Sequence, residues 1–266
     1  MSRYIKILAA VMSLLLLCSC AGRGRENGNE QSDATAENDQ IIIYPKADGK
    51  KVVCIDAGHG FRDVGCDTDL LEGTEADVTI EIALILKEKL EELGVKVIMT
   101  HDGKSFPSAD EIKALAKKAN VEYTDEDIID NDIFSAYERA IYASAIAEEE
   151  GIDLFISLHV NSIENHPEIS RYEIDYHKGN PFSSSLKIFS ENLSKGLDNE
   201  LVIYADEFDD AFIVTKPTTH PSVLLEMGYA TNKNDSEKLN SPEWRRSFAN
   251  ELANCTVEWI SSFEEK

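Results

Sequence analysis

The chain has 266 residues, 50 acidic against 26 basic, and a formal charge of −24. That length holds one sizeable domain with a good core, or two small ones. The charge balance argues against nucleic acid as a partner, because phosphate contact needs clustered lysine and arginine.

The first residues are a targeting segment. Arg3 and Lys6 give a positive start, Ile7 to Leu17 is an apolar run short for a bilayer span, and Leu17-Cys18-Ser19-Cys20 follows. Residues 1–19 therefore read as a secretory signal. Small Ser19 before Cys20, with Leu17 behind it, resembles the bacterial lipobox. That resemblance implies an exported chain with Cys20 as its lipidated first residue, held on a membrane surface without spanning it. An ordinary signal peptide or an uncleaved anchor remain the alternatives. Residues 20–40 lack apolar periodicity and are rich in Gly, Asn, Glu and Ser, which makes them a solvated tether. The folded domain is expected over 41–266. Ile41-Ile42-Ile43-Tyr44 would be a first edge strand, ended by Pro45.

Val52 to Ile55 is apolar and mostly β-branched, which predicts a buried strand. Asp56-Ala57-Gly58-His59-Gly60 follows, and two glycines let the chain turn sharply around one histidine. A residue at the carboxyl end of a buried strand points where open α/β sheets keep their ligands. After a polar loop, Val78, Ile82, Ile85, Leu86, Leu90 and Leu93 share one helical face, and Gly94 supplies the stop. Asp77 reads as a cap at the start of that helix, whereas Glu75 is kept as a site candidate. Val95 to Met99 is a second strand, so strand, helix and strand make a βαβ unit with a parallel sheet.

Residues 102–133 read as a surface insertion, with a short helix from Asp110 to Ala119 and a carboxylate-rich run from Thr124 to Asp132. Ser135 to Glu150 is a helix of small apolar residues, suited to close packing on a sheet. Asp153 to Leu158 is a third strand, followed at once by His159. A fourth strand is predicted from Arg171 to Tyr176 and a helix from Phe182 to Leu197. Residues 201–204 and 211–214 are short strands or loop edges. Pro221 to Gly228 is another buried strand that carries Glu226. Trp244, Phe248, Leu252, Trp259 and Phe263 mark a closing helix. The five cysteines (18, 20, 54, 66 and 255) include no Cys-x-x-Cys pair, so a cysteine zinc site is not expected. Cys54 and Cys255 read as small core residues.

Three apolar strands thus end in His59, His159 and Glu226, and a helix begins at Glu75. An unpaired carboxylate in an apolar strand is costly, so Glu226 needs a reason. Two histidines and a carboxylate make a three-ligand set that leaves a fourth position on Zn²⁺ open for water. A second carboxylate beside it can take the proton of that water. His101, His166, His177 and His220 read as bystanders: His101 behind the site or on the surface, the others on surface or loops, His220 with a chance of lying near the site.

These residues resemble the zinc-dependent N-acetylmuramoyl-L-alanine amidases of bacterial cell walls, the type 3 group. Ile55-Asp56-Ala57-Gly58-His59-Gly60 is similar to that family's first histidine block. Glu75-Ala76-Asp77-Val78 resembles its helix start, and Phe155-Ile156-Ser157-Leu158-His159-Val160-Asn161 its second histidine block. Leu224-Leu225-Glu226-Met227-Gly228-Tyr229-Ala230-Thr231-Asn232 resembles the final block. Arg139 falls where the family often has an arginine. The likeness spans about residues 50 to 262. It implies Zn²⁺ held by His59, Glu75 and His159, and Glu226 as the catalytic acid and base. The implied fold is a single α/β domain with a twisted, mostly parallel sheet and helices on both faces, phosphorylase/hydrolase-like. The implied substrate is the amide between N-acetylmuramic acid and L-alanine in peptidoglycan, within reach of a chain lipid-anchored in the cell envelope. Two departures stand out: Phe61 where the family has glycine, and His101 where it often has arginine. Another zinc amidohydrolase or peptidase on the same scaffold, or a non-catalytic wall-binding lipoprotein, stays open.

Overall fold

The computed structural model describes residues 50–124, 126–128, 133–197, 201–206, 212–216 and 220–262. The signal, the tether, the strand expected at 41–44 and Phe263 lie outside the described residues. Among the described residues, six strands form one sheet: β1 (Val52–Ala57), β2 (Lys96–Met99), β3 (Leu154–Asn161), β4 (Tyr172–His177), β5 (Leu201–Asp206) and β6 (Ser222–Tyr229). Their order is β2-β1-β3-β6-β4-β5. β2, β1, β3 and β6 run parallel, β4 is antiparallel to β6, and β5 runs parallel to β4. The amino end of β4 therefore meets the carboxyl end of β6.

Side chains alternate between two apolar layers, as strand geometry requires. Val53, Ile55, Ile156, Leu158, Val223 and Leu225 share one cluster with residues of α1 (Glu75–Glu92), α4 (Ser183–Gly196) and α6 (Pro242–Ser261). Cys54, Phe155 and Leu224 pack on the other face against Ala140, Ala143 and Ala147 of α3 (Ala136–Glu150). Helices on both faces follow from strands that are apolar on both sides. α1 starts where expected: Thr74 caps it, and Asp77 completes a reciprocal capping box.

The segment 102–133 is more than a surface insertion. α2 (Ala109–Ala119) has its own capping box from Ser108 and Glu111. It buries Ala109, Ile112 and Ala116 against Ile128, Phe134 and Ile141, with Phe61 and Phe106 packed at the rim. Residues 213–215 form a 3-10 turn, with no strand there. α5 (Lys233–Leu239) was not expected. It is seven mostly polar residues capped by Asn232, too short to show a period. His220 is neither on the surface nor near His159. It is fully buried at the amino end of β6, with its ring 5.8 Å from that of Phe155, and burial pushes its pKa down to about 3.

Candidate metal centre

The site forms at the carboxyl ends of β1, β3 and β6. His159 and Glu226 are Cα partners across β3 and β6. In a parallel pair such partners share a face, here the face covered by α3. His59 arrives on the turn after β1. Its backbone is left-handed, φ 66°, as is that of Phe61, φ 61°, a conformation uncommon outside glycine and common at functional sites. Backbone hydrogen bonds between Gly60 and Asp63 hold the turn, at 2.7 and 3.0 Å. Gly58 is required because a Cβ there would lie 2.4 Å from His159 Cε1.

Glu75 reaches the same point from the first turn of α1. It is fully buried. Its Oε1 accepts from the Val160 amide at 2.9 Å and its Oε2 from the Cys66 amide at 2.9 Å. Thr79 of the same helix donates to the Gly58 carbonyl at 2.7 Å, which ties α1 to the histidine turn. His59 Nε2 lies 3.2 Å from Glu75 Oε1, and His159 Nδ1 lies 3.1 Å from it. One donor atom from each of the three residues falls within 4.8 Å of the others. Tetrahedral zinc with bonds near 2.1 Å separates its ligand atoms by roughly 3.4 Å, so the three donors are spaced to hold one ion. Two imidazoles pull the Glu75 carboxyl well below the ordinary range, against the burial that would raise it. Burial lowers the His159 pKa as well, toward the neutral form that metals require. Asp63 Oδ2 lies 2.9 Å from His59 Nδ1, the outer carboxylate that commonly orients a metal-binding histidine.

Glu226 is 3% exposed, and its Oε2 has no hydrogen-bond partner among the described residues. Burial, with the carboxylates of Glu75 and Glu173 added, pushes its pKa well above the ordinary value. An orphaned carboxylate oxygen beside two imidazoles and a second carboxylate lacks positive charge. The donor set therefore fits a divalent cation on charge as well as on spacing.

Behind the turn, Asp56 is fully buried and fully satisfied. Thr100 Oγ1 and Ser157 Oγ donate to it at 2.7 Å each, and Arg139 Nε lies 2.9 Å from Oδ1. Burial would raise its pKa, but the Arg139 guanidinium and the two hydroxyls hold it below the ordinary value. Arg139 also donates to the Phe134 carbonyl at 2.9 Å. Removing one partner of a buried pair strands the other charge. Arg139→Met is therefore expected to cost about 3–5 kcal/mol in urea unfolding; a loss under ~1 kcal/mol would show that the pair is not the anchor of the turn. His101 is buried, with Nε2 2.8 Å from the Ala57 carbonyl, and its ring stands edge-on to that of Phe61 at 5.2 Å. The two departures from the resembled pattern thus touch each other.

All four sequence-predicted residues, His59, Glu75, His159 and Glu226, come to this one edge of the sheet. Sequence reasoning missed Asp63, Asn161, Arg171, Glu173 and Tyr229. Glu173 is the Cα partner of Glu226 across β4 and β6. Arg171 Nε donates to it at 2.6 Å, Tyr229 Oη at 2.5 Å and Asn161 Nδ2 at 3.1 Å. The available signal was the alternation of Glu173 and Asp175 with Tyr172, Ile174 and Tyr176, a polar face on an otherwise buried strand.

Residues 53–256 match the protein family described as N-acetylmuramoyl-L-alanine amidase. An uncharacterized cell wall amidase of Bacillus anthracis is 27% identical over 209 residues, 75% of this chain and 33% of that protein, so this chain spans a third of its length. The germination-specific N-acetylmuramoyl-L-alanine amidase of Bacillus subtilis is 23% identical over 202 residues, 76% of each. Among solved structures, the CwlD amidase of Clostridioides difficile, seen in complex with the GerS lipoprotein, aligns with a TM-score of 0.61 at 23% identity. That alignment covers 80% of this chain and all of the other. The amidase AmiC2 of Nostoc punctiforme aligns with a TM-score of 0.58 at 24% identity, covering 80% and 98%. At these identities the two structures speak for the fold alone.

Proposed function

The chain belongs to the N-acetylmuramoyl-L-alanine amidase family, and from that premise we propose that it is a zinc-dependent peptidoglycan amidase. The bond cleaved is the amide joining the lactyl group of N-acetylmuramic acid to the L-alanine of the stem peptide. The observation that carries this reading is the position of Glu226, a buried carboxylate with a free oxygen, beside His159 of the donor triad.

His59, Glu75 and His159 would hold the ion, with Nε2, Oε1 and Nδ1 as the facing donor atoms. When bound, Zn²⁺ lowers the pKa of a coordinated water to about 7 and polarises the scissile carbonyl. Asp63 Oδ2, 2.9 Å from His59 Nδ1, favours the tautomer with its proton on that nitrogen, which leaves the Nε2 lone pair facing the triad. The Val160 and Cys66 amides fix both oxygens of Glu75. Glu226 accepts a proton from the attacking water and delivers it to the alanine nitrogen as the carbon–nitrogen bond breaks. The products are a muramoyl carboxylate and a stem peptide with a free amino terminus. The test is digestion of purified sacculi: release of stem peptides that begin with L-alanine, glycan intact, supports the reading. Cuts inside the peptide would make the protein a peptidase instead.

Residues 1–40 support an exported enzyme tethered by lipid at Cys20, with the wall within reach of the linker. Cells fed labelled palmitate should label the full chain and leave Cys20→Ser unlabelled; persistent label would move the anchor to another residue.

A further inference from the structure

We propose that Arg171 is a specificity-determining residue whose guanidinium takes the free carboxylate of the stem-peptide residue that follows the alanine. The inference rests on the amidase reading and adds which substrates that site prefers.

Arg171 lies just ahead of β4, at the sheet edge that carries the site, because β4 runs against β6. It is two residues before Glu173, so it shares the face of Glu173 and Glu226. Its Nε donates to Glu173 at 2.6 Å and its Nη2 to Tyr204 Oη at 3.2 Å, and its guanidinium carbon stands 5.8 Å from the centre of the Tyr229 ring. Three contacts fix the plane of the fork. Nη1 and the second proton of Nη2 have no partner among the described residues. The side chain remains 37% exposed. This guanidinium is therefore pre-oriented with donors to spare, which suits bidentate recognition of a carboxylate.

Glu173 does not need all of it. Tyr229 Oη and Asn161 Nδ2 also donate to that carboxylate. The substrate geometry agrees. The scissile nitrogen belongs to alanine, and the next residue of an extended peptide lies roughly 3.5 Å further on. From Glu226 the path runs about 5 Å across the sheet to Glu173 and about 7 Å along the strand to Arg171, a gap that the peptide residue and the long arginine side chain span together. In a chain of charge −24, a cation fixed at the rim of an acidic site also counters repulsion of an anionic peptide.

The experiment compares two substrates, N-acetylmuramoyl-L-alanyl-D-glutamate and the same compound with its α-carboxyl amidated. Wild-type full-length protein should prefer the free acid by about tenfold in kcat/KM, mostly through KM, the size expected of a half-exposed charged contact. The preference should shrink as salt rises. Arg171→Ala should lose that preference, so that the free acid and the amidated compound are hydrolysed with similar kcat/KM. Arg171→Lys, which keeps charge without the fork, should restore part of it. A residue that only supports Glu173 would lower both substrates alike, and that result overturns the proposal. So does a wild-type enzyme that hydrolyses both compounds equally, a measurement that needs no variant to fold. Hydrolysis of neither compound would instead bring down the amidase reading on which the proposal stands.

Discussion

Glu226→Gln should lower kcat by about 10²–10⁴ while zinc content stays near one per chain. Glutamine keeps the shape of the side chain and loses only its ability to take a proton. The three donors do not include Glu226, so the ion has no reason to leave. Loss of the metal along with activity would make Glu226 a ligand; retained activity would place the base elsewhere. The same variant carries a stability signature. Burial and its carboxylate neighbours raise the Glu226 pKa in the metal-free fold. A raised folded pKa means the fold favours the protonated form. That contribution is full below the unfolded value near 4.3 and is lost as pH rises through the folded value. Metal-free Glu226→Gln should therefore be more resistant to urea than metal-free wild type at pH 8, and the gap should close below pH 4.

His159→Ala should lose both the metal and the activity. Its Nδ1 is one of two imidazole donors within reach of Glu75 Oε1. Without it, Glu75 Oε1 keeps the Val160 amide but only one imidazole, and two ligands hold zinc poorly where three leave a single open position. Bound zinc should fall below about one tenth per chain, and kcat should fall further than in Glu226→Gln, because polarisation and water activation go together. Elemental analysis after desalting reads the first effect and muropeptide hydrolysis the second. His159→Gln, closer in volume, guards against collapse of the packing of the ring on Gly58. Near-stoichiometric zinc in both variants would remove His159 from the site.

Most of the fold was readable because its strands are buried on both faces. Continuous runs such as Val52–Ala57 and Leu154–Asn161 announce themselves. The histidines and Glu226 were readable for the same reason, since each interrupts or ends an apolar run. Glu75 was harder: at a helix start, a carboxylate normally serves the dipole. Its fully buried side chain, bonded to Val160 and Cys66 of other elements, sets it apart, and spacing alone does not carry that information. Asp63 and Glu173 were illegible because their partners lie across a turn or across strands. Asp63 meets His59 only because the turn is left-handed, and Glu173 meets Glu226 only because β4 is reversed. The 102–133 segment hid its core in scattered residues, Ile112, Ala116, Ile128 and Phe134, which find their partners in α3 and beside Phe61.

The central claim is that one divalent ion sits among His59, Glu75 and His159. Anomalous diffraction at the zinc edge, from crystals grown with one equivalent of Zn²⁺, tests it most directly. The expected result is a single peak about 2.0–2.2 Å from His59 Nε2, His159 Nδ1 and Glu75 Oε1. A peak held by other residues, with those three atoms unliganded, would contradict it.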